Sequence, residues 1–114
     1  MTAEEKALKI YEFLDNKKAI EIKVLKVADL TSIAEYFVIA NGTSNTHIKA
    51  LADEVDFQME SLGEKGRLEG KASDWLLLDF GDVITHVFIA DAREHYNLEK
   101  LWADAQEISM EELA

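Results

Sequence analysis

The chain has 114 residues, 48% of them hydrophobic, which suits one compact domain and is too little for two. It contains no cysteine, which excludes disulfides, thiolate zinc sites and cysteine nucleophiles. The formal net charge is −11, with 12 basic residues scattered among 23 acidic ones, which argues against direct binding of nucleic acid. This charge favours a basic protein as the partner, although a role in solubility alone explains the acidity about equally well.

Apolar periodicity predicts the first elements of the chain. Three- and four-residue spacing over residues 2–14 predicts an amphipathic helix. Alternation in IEIKVLKV, residues 20–27, predicts a strand that is exposed on one face. Asp29 is then an N-cap candidate for one or two helical turns over residues 29–35.

The middle of the chain predicts a buried strand and a long helix. The run YFVIA, residues 36–40, is apolar on both faces, so we expect a central strand that is covered on both sides. A helix over residues 45–62 should end at Gly63. Its predicted buried residues are Ile48, Leu51, Ala52, Val55 and Met59.

The last third of the chain predicts paired strands and a closing helix. RLEG, residues 67–70, is a short strand candidate. DWLLLDFGDVITHVFIA predicts a hairpin that bends between Asp79 and Asp82, with Gly81 in the turn. A helical section follows over residues 91–105. This order of elements predicts one α/β domain, a mixed β-sheet packed with helices, over residues 1–103, followed by an acidic C-terminal tail, residues 104–114.

The segment NGTSN, Asn41 to Asn45, joins a strand to the N-terminus of a helix, a geometry that suits a phosphate. It matches neither common glycine-rich phosphate-binding pattern, and it has no lysine at the helix start. Its Ser44 and its neighbours are also ordinary N-caps, which satisfy the same N–H groups without a ligand. A capped corner is therefore favoured over a nucleotide site.

Catalytic and metal-binding groups are not evident in the sequence. A nucleotidyl transferase holds magnesium with two carboxylates one residue apart on a strand, whereas Asp79 and Asp82 flank a turn. His47, His86 and His95 share no i, i+4 spacing that would suggest a zinc site. We therefore predict that the protein is not an enzyme and has no cofactor and no metal.

Three ordered blocks of the sequence resemble the ribosomal silencing factor family, also called the Iojap-like proteins. They are DLTSIAEYFVIANGTSNTHIKALADEV, WLLLDFGDVITHVF and REHYNLEKLW. The resemblance covers roughly residues 3–103, and the acidic tail lies outside it. In the third block the family pattern is matched by Arg93, Glu94, Tyr96, Leu98, Glu99 and Trp102, although a closing amphipathic helix explains the apolar members equally well.

The resemblance implies an α/β domain with nucleotidyltransferase-like topology that lacks the catalytic carboxylates. It implies a translational repressor that binds the large ribosomal subunit through the basic ribosomal protein number fourteen and blocks joining of the small subunit when nutrients are limiting. It also allows a homodimer when the partner is absent. No apolar run approaches the roughly 20 residues that cross a bilayer, so we expect a cytoplasmic protein with no membrane contact. The alternative is a nucleotide-binding or nucleotidyl-transfer enzyme that uses the Asn41 to Asn45 corner.

The family's contact surface corresponds here to DWLLLDFGD. The implied partner-binding residues are Trp75, Leu76, Leu78, Asp79, Phe80 and Asp82. Trp75 and Phe80 are the expected anchors, because aromatic side chains concentrate binding energy at protein interfaces. Since neighbouring residues of a strand point to opposite faces, at least one half of this set should lie in the core.

Overall fold

The structure, a computed structural model, describes residues 1–109. Its elements are α1 (Ala3–Asn16), β1 (Ile20–Lys26), β2 (Tyr36–Gly42), α2 (Asn45–Ser61), β3 (Arg67–Ala72), β4 (Trp75–Asp79), β5 (Val83–Ile89), α3 (Ala90–Tyr96), α4 (Leu98–Leu101) and β6 (Gln106–Ile108).

The strands form one six-stranded mixed sheet in the order β3-β4-β5-β2-β1-β6. Strands β2 and β5 pair in parallel, and the other neighbours pair antiparallel. All seven residues of β2 are buried, because β2 lies inside the sheet and is covered on both faces. The predicted α/β domain with a mixed sheet and a central, fully covered strand is confirmed.

Local sequence signals determine where the two long helices begin and end. At the start of α1, Thr2 Oγ1 accepts from the Glu5 amide at 3.1 Å and the Glu5 carboxylate accepts from the Thr2 amide at 3.1 Å, which forms a capping box. At the start of α2, Ser44 Oγ accepts from the amide of His47 at 3.1 Å. Gly63, with φ of 85°, follows the end of α2, and the buried residues of this helix are the five that were predicted.

The sheet has apolar residues on both faces. Helices α1 and α2 pack on one face, which we call the helix-covered face, and a large cluster of buried side chains fills the space between them and the sheet. The other face, which we call the second face, is covered in part by α3, α4 and the residue after α4, which contribute Ala92, Leu98 and Trp102 to a smaller cluster. Because α3 lies over β5 and β2, the portion of the second face formed by β3 and β4 is left more open.

Three sequence-based predictions are corrected by the structure. Residues 29–35 form turns and bends instead of a short helix, and the closing helical section is two short helices separated by Asn97, which has φ of 49°. Strand β6, which was placed in the acidic tail, pairs antiparallel with β1 at the edge of the sheet. The sheet therefore extends into residues that were predicted to be tail. Residues 110–114 of the predicted tail lie outside the described residues.

Candidate functional site

Strand β4 divides the predicted partner-binding residues between the two faces of the sheet. Trp75 and Asp79 lie on the second face, where they pair with Phe88 and Ile84 of β5. Leu77, which was not among the predicted site residues, lies between them on the same face. All three side chains of β4 on this face are only partly buried. Alternation along the strand is the signal that could have selected Leu77.

The other three apolar or aromatic predictions belong to the helix-covered face. Leu78 is 1% exposed and Phe80 is 7% exposed, and both lie in the core cluster beneath α1 and α2. Leu76 is partly buried and packs against the same cluster. The Phe80 ring also fills the space next to Gly66, where an added Cβ would lie 2.5 Å from a ring carbon. Phe80 is therefore a core residue of this fold, which argues against its role as an exposed anchor.

Trp75 lies at the centre of a group of aromatic rings on the second face. Its ring centroid is 5.1 Å from that of Phe88 and 4.7 Å from that of Tyr96, and Tyr96 is 41% exposed. We call Trp75, Leu77, Asp79 and Tyr96 the aromatic surface. Arg67 of β3 lies beside it and pairs with Asp79 at 3.6 Å. The surface thus combines an aromatic centre with charged neighbours.

A buried histidine supports this surface from below. His86 is 6% exposed, and its Nδ1 accepts a hydrogen bond from Trp75 Nε1 at 3.2 Å. Burial, together with a smaller contribution from the positive charge of Lys71, lowers the pKa of the His86 imidazole from 6.5 to about 4. His86 is therefore neutral at pH 7, which leaves Nδ1 free to accept from the indole. No sequence signal had linked this histidine to Trp75.

Asp82, the last predicted site residue, has a partner within the fold. Lys6 of α1 is 9% exposed, and its Nζ lies 2.8 Å from Asp82 and 3.3 Å from Glu64. Burial by itself would lower the pKa of Lys6, but the hydrogen bonds to Asp82 and Glu64 outweigh it and raise this pKa above 10.5. Asp82 thus joins the β4–β5 turn to α1, and its charge is partly neutralised.

The segment of residues 41–45, which we call the glycine corner, is held by internal hydrogen bonds. The Thr43 amide donates to His47 Nδ1 at 2.9 Å, and His47 Nε2 lies 2.9 Å from the carbonyl oxygen of Lys17. Asn45 Nδ2 donates to the Ser73 carbonyl at 3.1 Å. An added Cβ at residue 42 would lie 2.7 Å from the side chain of a buried isoleucine of α2, so the loop packs directly on the helix. This geometry favours the capped corner.

Residues 1–109 contain neither a cluster of metal ligands nor a membrane-spanning helix. No three His, Asp or Glu side chains in this range are grouped closely enough to hold a metal ion. Within the same range, no helix combines the length and the apolar character needed to cross a bilayer.

The fold has close counterparts among solved structures. A crystal structure of a Chromobacterium violaceum protein matches with a TM-score of 0.87 and 33% identity, and the match covers 96% of this chain and 92% of that one. A crystal structure from Bacillus halodurans matches with a TM-score of 0.76 and 34% identity, over 88% of this chain and 92% of that one. The chain is thus a single-domain α/β protein of the class that these structures define.

Sequence comparison identifies the family. The family model described as "Ribosomal silencing factor during starvation" matches residues 1–114. "Ribosomal silencing factor RsfS" of Halalkalibacterium halodurans is 41% identical over 100 residues, which is 86% of each chain. The mouse protein "Mitochondrial assembly of ribosomal large subunit protein 1" is 35% identical over 98 residues, 82% of this chain and 43% of that protein. The chain belongs to the ribosomal silencing factor family.

Proposed function

We propose that the protein is a translational repressor that binds the large ribosomal subunit and sterically blocks joining of the small subunit when nutrients are limiting. Membership of the silencing factor family supports a ribosome-associated role in translation, and the mouse relative's name refers to the large subunit. The finer proposal is that the contact is made with the basic ribosomal protein number fourteen at the intersubunit face. Such a repressor acts in the cytoplasm and needs no catalytic group.

The observation that carries this proposal is the aromatic surface. Its β4 residues lie on the part of the second face that α3 and α4 leave open, and at its centre Tyr96, the last residue of α3, packs on Trp75. Aromatic residues with charged neighbours are the usual energetic centre of a protein interface. The ion pair between Arg67 and Asp79 lies where the polar rim of such an interface would be.

The net charge of −11 supports a basic protein as the partner. Complementary charge accelerates encounter and orients the two surfaces, and salt screens this effect. We therefore expect higher ionic strength to slow association with large subunits markedly and to change dissociation less. Association rates that do not depend on salt would remove electrostatic steering from the proposal.

A pair of matched variants tests where the contact lies. Tyr96 is 41% exposed in the aromatic surface, and Phe57 is 60% exposed on α2, which covers the opposite face of the sheet. Tyr96→Glu should weaken co-sedimentation with purified large subunits by about tenfold or more, since it places a carboxylate in the proposed interface. Phe57→Glu, the control, should bind as the unaltered chain does.

Inhibition of subunit joining should follow the binding of each variant in a purified translation system. If Phe57→Glu abolished binding and Tyr96→Glu did not, the contact would lie on the helical layer. If the unaltered chain bound large subunits without inhibiting joining, the blocking mechanism would be wrong. Sedimentation of the free chain would measure the predicted self-association in the same preparation.

A further inference from the structure

A pocket of about 360 Å³ lies at the carboxyl ends of the parallel strands β2 and β5. It shares no lining residue with the aromatic surface. Ligands of open α/β sheets commonly bind at this end of parallel strands. Its polar lining is formed by Glu21, Asn41, Arg93, Glu94, Asn97 and Glu99. The pocket therefore brings together Asn41 of the glycine corner and four residues of the REHYNLEKLW block, none of which belongs to the aromatic surface.

Arg93 is fixed in this pocket by three hydrogen bonds and is 7% exposed. Its Nε donates to Glu99 Oε1 at 2.7 Å. Its Nη1 donates to the Glu21 carbonyl at 2.6 Å and to Asn41 Oδ1 at 3.1 Å. The hydrogen bond from Arg93 lowers the pKa of the Glu99 carboxyl despite the opposing effect of burial, and Lys23 contributes in the same direction. The guanidinium group is thus held in one orientation.

Two side-chain nitrogen atoms of the pocket residues have N–H groups that form no hydrogen bond within the described residues. Within residues 1–109, Arg93 Nη2 and Asn41 Nδ2 donate no hydrogen bond, although the two side chains are 7% and 5% exposed. In this range, Thr85 Oγ1 is the only side-chain nitrogen or oxygen atom that is fully buried and has no hydrogen-bond partner. Neither nitrogen is therefore sealed in the core, and both are available to an acceptor that enters the pocket.

The opposite charge is also present and unpaired. Glu21 and Glu94 line the pocket, are exposed, and form no ion pair within the described part of the chain. Glu99, by contrast, pairs with both Arg93 and Lys23, the latter at 2.8 Å. The formal charge around the pocket is therefore negative, which disfavours a polyphosphate or another multiply charged anion. A ligand with one anionic and one cationic group matches the lining better.

We propose that this pocket binds a small zwitterion of the α-amino-acid class. The ligand carboxylate accepts hydrogen bonds from Arg93 Nη2 and Asn41 Nδ2, and the ligand ammonium group lies against the carboxylate of Glu94. A hydrogen bond from the charged guanidinium group to a carboxylate is charge-assisted and therefore stronger than one between neutral groups. The volume of the pocket lies within the range of small-molecule sites. The site goes beyond the proposed ribosome contact and does not depend on it.

The test is a titration of the full-length isolated chain with each of the 20 common L-α-amino acids, without ribosomes. Heteronuclear NMR follows the Nε–H of Arg93 and the side-chain amide of Asn41. At least one amino acid should shift both signals in a saturable manner. Its N-acetyl derivative and its primary amide should bind about tenfold or more weakly, because each lacks one of the two charges.

Two variants locate the binding. Asn41→Asp keeps an oxygen that accepts from Arg93 but has no donor and adds negative charge, so amino-acid affinity should fall about tenfold or more. Glu94→Gln removes the proposed ammonium partner at an exposed position and should lower affinity for the free amino acid but not for its N-acetyl derivative. Glu4→Gln, an exposed change on α1, is the control and should change neither affinity.

Several results would overturn the proposal. The first is the absence of any saturable shift at about 10 mM amino acid, a concentration that would detect even millimolar affinity. The second is equal binding of acetate or inorganic phosphate, which would define a simple anion site. The third is unchanged amino-acid affinity in Glu94→Gln. If Asn41→Asp failed to fold by urea denaturation, Glu94→Gln with the N-acetyl comparison would still decide. Loss of ribosome binding is not an outcome of this experiment, so failure of the proposed function would be seen separately.

Discussion

Replacement of Trp75 by alanine should destabilise the protein as well as weaken partner binding. The Trp75 ring lies 5.1 Å from Phe88 and 4.7 Å from Tyr96 between centroids, and Nε1 donates to His86 Nδ1 at 3.2 Å. Trp75→Ala removes these contacts together. It also leaves the His86 acceptor, on a side chain that is 6% exposed, without its donor.

The expected loss of unfolding free energy is about 2 to 4 kcal/mol. Truncation of a fully buried Phe or Trp to Ala costs about 3 to 5 kcal/mol, and Trp75 retains part of its surface in solvent, so roughly half of this value applies. A buried polar atom that loses its partner adds about 1 to 3 kcal/mol, and water that enters the space left by the indole reduces this contribution. The total is a large share of the roughly 5 to 15 kcal/mol that stabilises a domain.

Urea unfolding followed by far-ultraviolet circular dichroism measures this loss. Trp75→Phe is the matched variant, because it keeps an aromatic ring and removes the indole N–H, and it should cost about 1 to 2 kcal/mol. A loss below about 0.5 kcal/mol in Trp75→Ala would show that the ring contributes little to the second face. A binding defect of Trp75→Ala should be attributed to the interface only if Trp75→Phe, which is destabilised less, also shows a binding defect.

Three further predictions follow from other contacts. The pKa of His86 falls from 6.5 to about 4 on folding, so between these pH values the unfolded chain binds one more proton than the folded chain. The unfolding free energy should therefore fall by about 3 kcal/mol as the pH drops from 6.5 to 4. In His86→Phe, urea unfolding at a series of pH values should show a smaller dependence of stability on pH in the upper part of this range. Truncation after Ala103 removes β6 and should lower the unfolding free energy by about 1 to 2 kcal/mol in the same assay, so full retention of stability would contradict a structural role for β6. Lys6→Met leaves the carboxylates of Asp82 and Glu64 without their cation and should lower the unfolding free energy by about 1 to 2 kcal/mol, measured by thermal unfolding. Lys9→Met, at a more exposed position on α1, is the control and should be close to neutral.

Elements with a strong local pattern could be predicted from the sequence. In α2 the cap, the apolar stripe and the terminal Gly63 agree, and the helix ends within one residue of the prediction. In the β4–β5 hairpin, Gly81 adopts φ of 86° at the predicted turn, and Asp79 Oδ1 accepts from its amide at 2.8 Å. Local and long-range interactions favour the same conformation in both elements, so periodicity was sufficient.

The errors occur where long-range contacts outweigh the local pattern. Residues 29–35 contain an N-cap candidate, but the amide of Ile33 donates to Thr31 Oγ1, and the amide of Glu35 donates to the Asp82 carbonyl of the β4–β5 turn. Strand β6 has three residues, too few for a detectable alternation, and it forms by pairing with β1 far away in the sequence. The contact of Glu35 with the β4–β5 turn and the pairing of β6 with β1 cannot be inferred from neighbouring residues alone.

The candidate surface shows the same limit in another form. Alternation along β4 separates Trp75 and Asp79 from Leu78, but it does not say which set the helices cover. That depends on the packing of α1 and α2 on the sheet, which buries Leu78 and Phe80 and leaves part of Trp75 exposed. The resemblance selected the segment to consider, and the structure divided it between core and surface.

Helix α3 connects the two surfaces that the experiments address, and this determines which variants are informative. Its Arg93 bonds to residues from β1, β2 and α4, while its Tyr96 packs on Trp75 of β4. A substitution of Arg93 would release all of these bonds and allow Tyr96 to move, so it would change the pocket and the aromatic surface together. Changes at exposed pocket residues that do not bond to Arg93, such as Glu94→Gln, leave the Arg93 bonds in place and therefore separate ligand binding from ribosome binding.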